Sequence, residues 1–147
     1  MSAERRGADH AAARALARLT RLVERSTGEL SLAHYRVLAA VADGDERASR
    51  LAQRLALGKP AISASVEALC TRGLLERGAV DGDLRATALS LTERGRASLD
   101  AVDAALAERL DELTSRTPDP AATLSALAAL GGALDELGAE RLAKAAR

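Results

Sequence analysis

The chain contains no Phe and no Trp, and Tyr35 is its only aromatic residue. Val and Ile together number 7 among 147 residues. Large sheets and barrels draw on β-branched and aromatic side chains, so any strands here must be few and short. The single cysteine, Cys70, excludes an internal disulfide and any zinc site built on paired cysteines. Long hydrophobic runs are missing too. The most apolar stretch, residues 124–134, is interrupted by Ser125, Gly131 and Gly132, and it falls short of the roughly 20 residues needed to span a bilayer. No charged segment followed by an apolar one opens the chain, so no secretory signal is expected. These absences lead us to expect a soluble cytoplasmic protein with no membrane partner.

What is present is Ala and Leu, 35 and 25 residues respectively. Both favour helices, which makes the chain mostly helical. Its length suits one ordinary domain with a single core, and that core must be aliphatic. Net charge is zero, from 21 basic and 21 acidic residues, but the charges are unevenly placed. Residues 31–96 carry 10 basic and 8 acidic residues, whereas residues 97–147 carry 5 and 9. Within residues 46–77 there are 6 basic against 3 acidic. Such asymmetry fits either an anionic partner for the centre of the chain or an ordinary solvated surface.

Spacing of the apolar residues predicts the elements. A first helix runs from about Asp9 to Arg25, with Leu16, Leu19, Leu22 and Val23 on one face. A second opens at Ser31, a suitable N-cap, and ends at Asp43-Gly44. Two short helices follow, Ser49 to Leu55 and Lys59 to Arg72. Pro60 sits in the first turn of the latter and Gly73 at its left-handed C-terminal position. Two extended segments, Leu74 to Val80 and Thr87 to Leu91, predict a hairpin with a mobile tip at residues 81–85. A long helix from Glu93 carries Leu99, Val102, Leu106, Leu110 and Leu113, and Thr117-Pro118 stops it. Asp119-Pro120 then opens a last helix striped by Leu124, Leu127, Leu130, Leu134 and Leu137. Gly131-Gly132 inside that stripe costs roughly 1 kcal/mol per Gly relative to Ala. Either a closely packed partner helix offsets that cost or the helix kinks there.

The predicted fold is therefore mostly α with a small two-stranded β wing. A winged helix-turn-helix region at residues 31–96 lies between an N-terminal dimerisation helix at residues 1–30 and C-terminal dimerisation helices at residues 97–147. A helix-turn-helix followed by a wing is a DNA-docking arrangement, with the second helix in the major groove and the hairpin tip on the backbone or in the minor groove. The leucine stripes of the first, fifth and sixth helices exceed what so small a winged domain can cover. They pack against a second copy in a two-fold dimer, or close a helical subdomain within one chain.

From Leu30 to Leu99 the chain resembles the MarR family of bacterial winged-helix transcriptional regulators. The segments carrying the likeness are LSLAHYRVLAAVADGD (30–45), RLAQRLALGKPAISASVEALCTRGLLER (50–77) and DGDLRATALSLTERGRASL (81–99). The last is the most specific, because the family's wing carries Asp-x-Arg, an alternating strand and then Leu-Thr-x-x-Gly. Here those residues are Asp83, Arg85, Leu91, Thr92 and Gly95. The resemblance implies a homodimer that binds a palindromic operator in double-stranded DNA, represses a nearby gene and is released by a small-molecule effector.

On that basis Lys59, Pro60, Ala61, Ser63, Ala64 and Ser65 are candidates for base-edge or phosphate contact. Serine hydroxyls can donate or accept, and alanine methyls can touch thymine. Arg85 is the expected minor-groove residue of the wing, with Asp83 holding its guanidinium through a charge-assisted bond. Arg50, Arg54, Arg72 and Arg77 are candidates for phosphate contact, or else solvated helix-face charges. One departure bears on affinity. Family members commonly carry a basic residue at the positions of Ala64, Gly78 and Leu84, and none of the three is basic here. Phosphate neutralisation supplies much of protein–DNA affinity, so modest affinity or an unusual operator is expected.

The remaining chemistry-bearing residues are few. His34 and Tyr35 open the second helix near where relatives bind effectors, and Arg14 or Arg18 of the first helix offers charge to an acid. Alternatively Tyr35 is core and His34 surface. Cys70 is either a structural thiol or an oxidant sensor, with no second cysteine to resolve a sulfenic acid within the chain. His10 and His34 lack companions at ligand spacing, so no metal site is expected. There is no Gly-rich phosphate loop and no Ser-His-Asp arrangement, so neither an enzyme nor a cofactor is expected. The contrasting possibility to a DNA-binding regulator is a dimeric winged-helix module for protein or ligand binding, with weak or lost DNA contact.

Overall fold

The computed structural model describes residues 3–44, 47–80 and 83–145. The side chains of residues 3–6, 8, 79–80, 83–87, 142 and 145 lie outside the described set. In chain order the elements are α1 (Ala3–Ser26), α2 (Leu32–Ala42), α3 (Ala48–Arg54), α4 (Lys59–Thr71), β1 (Leu75–Val80), β2 (Asp83–Leu91), α5 (Glu93–Thr114) and α6 (Pro120–Ala145). A mostly helical chain with one two-stranded antiparallel sheet is the architecture its composition implies.

Local chemistry sets the helix boundaries. The Ser31 hydroxyl accepts from the His34 amide at 3.1 Å and starts α2. The Asp119 carboxylate accepts from the Ala122 amide at 2.9 Å at the head of α6. Gly73 adopts φ +68° just past α4, the left-handed conformation that stops a helix at little cost to glycine. Two boundaries differ from the sequence-based expectation. Helix α1 starts at Ala3 rather than Asp9, because Gly7 does not interrupt the helix. Helix α3 ends at Arg54, and Ala56 takes φ +51° to turn the chain before Gly58.

One core unites α2, α3, α4, the hairpin and the first half of α5. It is built from Leu30, Val37, Leu38, Val41, Leu51, Ile62, Val66, Leu69, Leu74, Leu75, Leu89, Leu99 and Val102, all buried. Leu99 and Val102 therefore belong to the winged region's core, and only the later part of α5 extends the apolar stripe outward. Helix α1 packs on α5, and α6 packs on both α5 and α3.

The wing is longer than its sequence suggests. β2 begins at Asp83, not Thr87, so residues 83–85 of the expected tip belong to the strand, and residues 81–82 lie outside the described residues. Leu75 pairs with Leu91 and Ala79 with Thr87, but Val80 pairs with Asp83. The register shift passes over residues 84–86, so the strand continues through a segment whose Asp and Arg residues resemble a loop.

Helix α6 runs unbroken through Gly131 and Gly132, so no helix break occurs there. Its leucine stripe faces solvent within the single chain: Leu130 is 63% exposed and Leu134 69%. Leu16 of α1 is likewise 65% exposed.

Candidate nucleic-acid interface

Helix α4 is anchored from behind and left open in front. Ile62, Val66 and Leu69 are buried at the spacings of one helical face. The opposite face carries Pro60, Ala61, Ser63, Ala64, Glu67 and Thr71, all exposed, while Ser65 is half-buried between the two. Lys59 is exposed at the helix start, and Gly58 provides no side-chain cap. The first amides of α4 thus have no side-chain partner, which suits a helix end that meets an anion.

The turn that presents α4 is tied to its neighbours. Leu55 and Leu57 donate their amides to the carbonyls of Leu51 and Ala52, and the Arg36 guanidinium donates to the Leu55 carbonyl at 3.1 Å. Arg36 therefore links α2 to the end of α3. Sequence reasoning missed it, since an Arg on a helix surface carries no local mark of its distant partner.

The candidate cations differ in their surroundings. Arg77 on β1 pairs with Glu67 on α4 at 3.0 Å. Arg54 pairs with Asp43 at 2.7 Å. Arg50 is exposed, and Arg72 is half-buried at the C-terminal cap of α4. The side chains of Asp83, Leu84 and Arg85 lie outside the described residues, and so does the expected contact between Asp83 and Arg85. The backbone places residues 83 and 85 at the distal end of β2. Of the family's three commonly basic positions, Ala64 lies on the open face of α4 and Gly78 on β1.

The four effector-pocket candidates are not brought together. Arg18 lines a cleft of about 1080 Å³ bounded by α1, α5 and the start of α6, together with Leu22, Arg25, Glu108, Leu113 and Leu127. Arg14 is exposed on α1 and is not part of that lining. Tyr35 packs against the core and donates its hydroxyl to the Asp103 carboxylate at 2.8 Å. Its phenol is pushed up to about 12 by burial, by that hydrogen bond and by the charges of Asp103 and Asp43. His34 is half-buried, and its imidazole is held below the usual histidine range by burial and by the nearby Arg72 charge. Cys70 is half-buried against the core. Among the described residues, no group of three or more His, Cys, Asp or Glu could hold a metal ion, and no helix is long and apolar enough to cross a membrane.

A recognition helix held open beside a hairpin, on a core shared with the first half of a long fifth helix, defines a winged helix-turn-helix protein. Residues 29–86, from the approach to α2 through the distal wing, match the MarR family. The fold agrees along the rest of the chain. A MarR family transcription regulator of solved structure is 24% identical, with 96% of this chain and 93% of that one covered and a TM-score of 0.75. A mutant of MarR from E. coli is 25% identical over 73% of this chain and 82% of that one, with a TM-score of 0.65. The M. tuberculosis transcriptional regulator MosR, solved in complex with DNA, is 23% identical over 88% of this chain and 97% of that one, with a TM-score of 0.60. The chain is thus similar to MarR-family transcription regulators, through the family match over residues 29–86 and through a shared fold along most of its length. No curated protein matches it in sequence.

Proposed function

We propose that the chain is a homodimeric DNA-binding regulator that represses by occupying a palindromic operator and is released by a small-molecule effector. One observation carries this proposal: the face of α4 opposite Ile62, Val66 and Leu69 is left uncovered beside the wing. That is the surface a winged helix-turn-helix presents to a major groove. The fold shared with MosR, which was solved with DNA, supports it.

In this arrangement Lys59, Pro60, Ala61, Ser63, Ala64 and Ser65 approach base edges and phosphates. Arg50 and Arg72 add phosphate contacts, Arg54 joins once Asp43 yields, and Arg77 reaches phosphate through the guanidinium N–H groups that its pairing with Glu67 leaves over. Arg85, steadied by Asp83, enters the minor groove from the wing. Residues 31–96 carry DNA contact. Residues 1–30 and 97–147 carry dimerisation, a role supported by the exposed leucines Leu16 of α1 and Leu124, Leu127, Leu130, Leu134 and Leu137 of α6. Two-fold symmetry then sets the recognition helices about one DNA turn apart. The α1/α5/α6 cleft, with Arg18 and Arg25 on its wall, is the place for an acidic effector. A regulator of this kind works in the cytoplasm and needs no cofactor.

The ion pairs Arg54–Asp43 and Arg77–Glu67 favour a second reading, a dimeric winged-helix module with weak or lost DNA binding. A mobility-shift titration of the protein against the DNA upstream of its own gene separates the two. Regulator function predicts a shifted band at micromolar dimer and low salt, and the absence of any shift excludes it.

A further inference from the structure

We infer that Glu67 is a base-reading residue of α4, its carboxylate accepting from the N4 amine of a cytosine, so that each operator half-site carries a C·G pair opposite it. This assignment rests on the DNA-binding function proposed above and adds what that function leaves open, the sequence preference.

Glu67 lies in the same helical stripe as Ala64 and Ser63, three and four residues before it, on the side away from Ile62, Val66 and Leu69. Its side chain is 65% exposed, and one oxygen, Oε2, is held by the Arg77 guanidinium at 3.0 Å. Among the described residues, Oε1 has no hydrogen-bond partner. The carboxylate is thus fixed on one side by β1 and presents its second oxygen outward.

An ionised carboxylate can only accept hydrogen bonds. Phosphates repel it, so its favourable partners in a major groove are the exocyclic amines, and cytosine N4 is the usual one for Glu. Guanine and thymine present only acceptors or a methyl group and leave a desolvated carboxylate unpaired, and adenine sets its N7 acceptor beside its amine, against the second carboxylate oxygen, so discrimination is by penalty as well as by attraction. Arg77 offsets part of the repulsion from the backbone. The neighbouring Ala61 and Ala64 side chains are small, which lets the helix seat closely and set thymine methyls against alanine methyls.

The test is selection of duplexes from a random pool at low salt by the full-length wild-type protein and by Glu67→Ala and Glu67→Gln. Glu67 is exposed, and circular dichroism melts should show both variants folded like the wild type. Wild type is expected to enrich a palindrome with a fixed C·G pair in each half. Glu67→Ala should relax that one pair by at least about 5-fold in discrimination, and Glu67→Gln should shift it toward A·T, because glutamine bonds adenine. If both variants enrich the wild-type sequence unchanged and merely bind all DNA more tightly, Glu67 only repels the backbone and the inference is wrong. If wild type itself enriches no sequence, it is the DNA-binding function that fails, and the base-reading role falls with it.

Discussion

The Leu74 carbonyl oxygen lies where a Cβ on Gly95 would have to be, so the entry to the wing and the first turn of α5 touch backbone to backbone. Thr92 completes the joint. Its hydroxyl donates to the Gly73 carbonyl at 2.7 Å and accepts from the Gly95 amide at 2.9 Å, while its own amide donates to the Leu74 carbonyl at 3.2 Å. One residue thereby caps α5 and ties it to the end of the recognition helix. The Leu-Thr-x-x-Gly motif has a physical cause: a capping hydroxyl, and three residues on, a position where a side chain does not fit.

Gly95→Ala must push β1 and α5 apart, and overpacking of this kind costs about 1–3 kcal/mol. Thr92→Val keeps the shape but removes the cap and the bond to Gly73, for a loss of about 1–2 kcal/mol. Urea denaturation followed by circular dichroism measures both. A Gly95→Ala protein as stable as wild type would contradict the close approach.

Tyr35 can be followed alone, because it is the only aromatic residue. Its ultraviolet absorbance should titrate near 12 in the folded protein and near the ordinary tyrosine value, about 10, in urea. A folded-state pKa raised above the unfolded one means that the stability contributed by the neutral phenol is fully present below pH about 10 and is lost as pH climbs toward 12. Asp103→Asn removes one source of the upward shift, the Asp103 charge, and should bring the folded midpoint down. An unchanged midpoint in that variant would show that the Asp103 charge does not contribute to it.

Most of the fold is legible in the sequence because its signals are local. Ser31, the Asp119-Pro120 pair and Gly73 sit at element ends for reasons contained within four residues of chain. The open face of α4 also follows from spacing alone, once Ile62, Val66 and Leu69 are recognised as its buried side. What spacing could not supply is pairing across distance. Arg77 with Glu67, Arg54 with Asp43, Arg36 with the Leu55 carbonyl and Tyr35 with Asp103 all join elements whose separation only the folded chain removes. The start of β2 is hidden for a related reason. Asp83, Leu84 and Arg85 have loop-like chemistry, and backbone pairing across a register shift extends the strand through them regardless.

Dimerisation through α6 predicts a clear change in solution. Leu130 and Leu134 are exposed in the single chain, so replacing both with Glu disturbs no core packing and should leave the winged region folded. The double variant should elute as a monomer in size-exclusion chromatography with light scattering, and wild type should elute as a dimer. Operator affinity should fall with it, because each half-site is then bound separately. A double variant that remains dimeric would place the interface elsewhere.

Whether α4 and the wing form a DNA-binding surface is tested most directly by the salt-dependent affinity of wild type and of the double variant Lys59→Ala with Arg85→Ala for one operator duplex. Fluorescence anisotropy at two salt concentrations gives both affinity and slope. If these cations meet phosphate or the minor groove, the double variant should bind more weakly, and the slope of log affinity against log salt should shrink by about 1 for each phosphate that is no longer neutralised. Equal affinity and equal slope for wild type and variant would contradict a DNA-binding role for this surface.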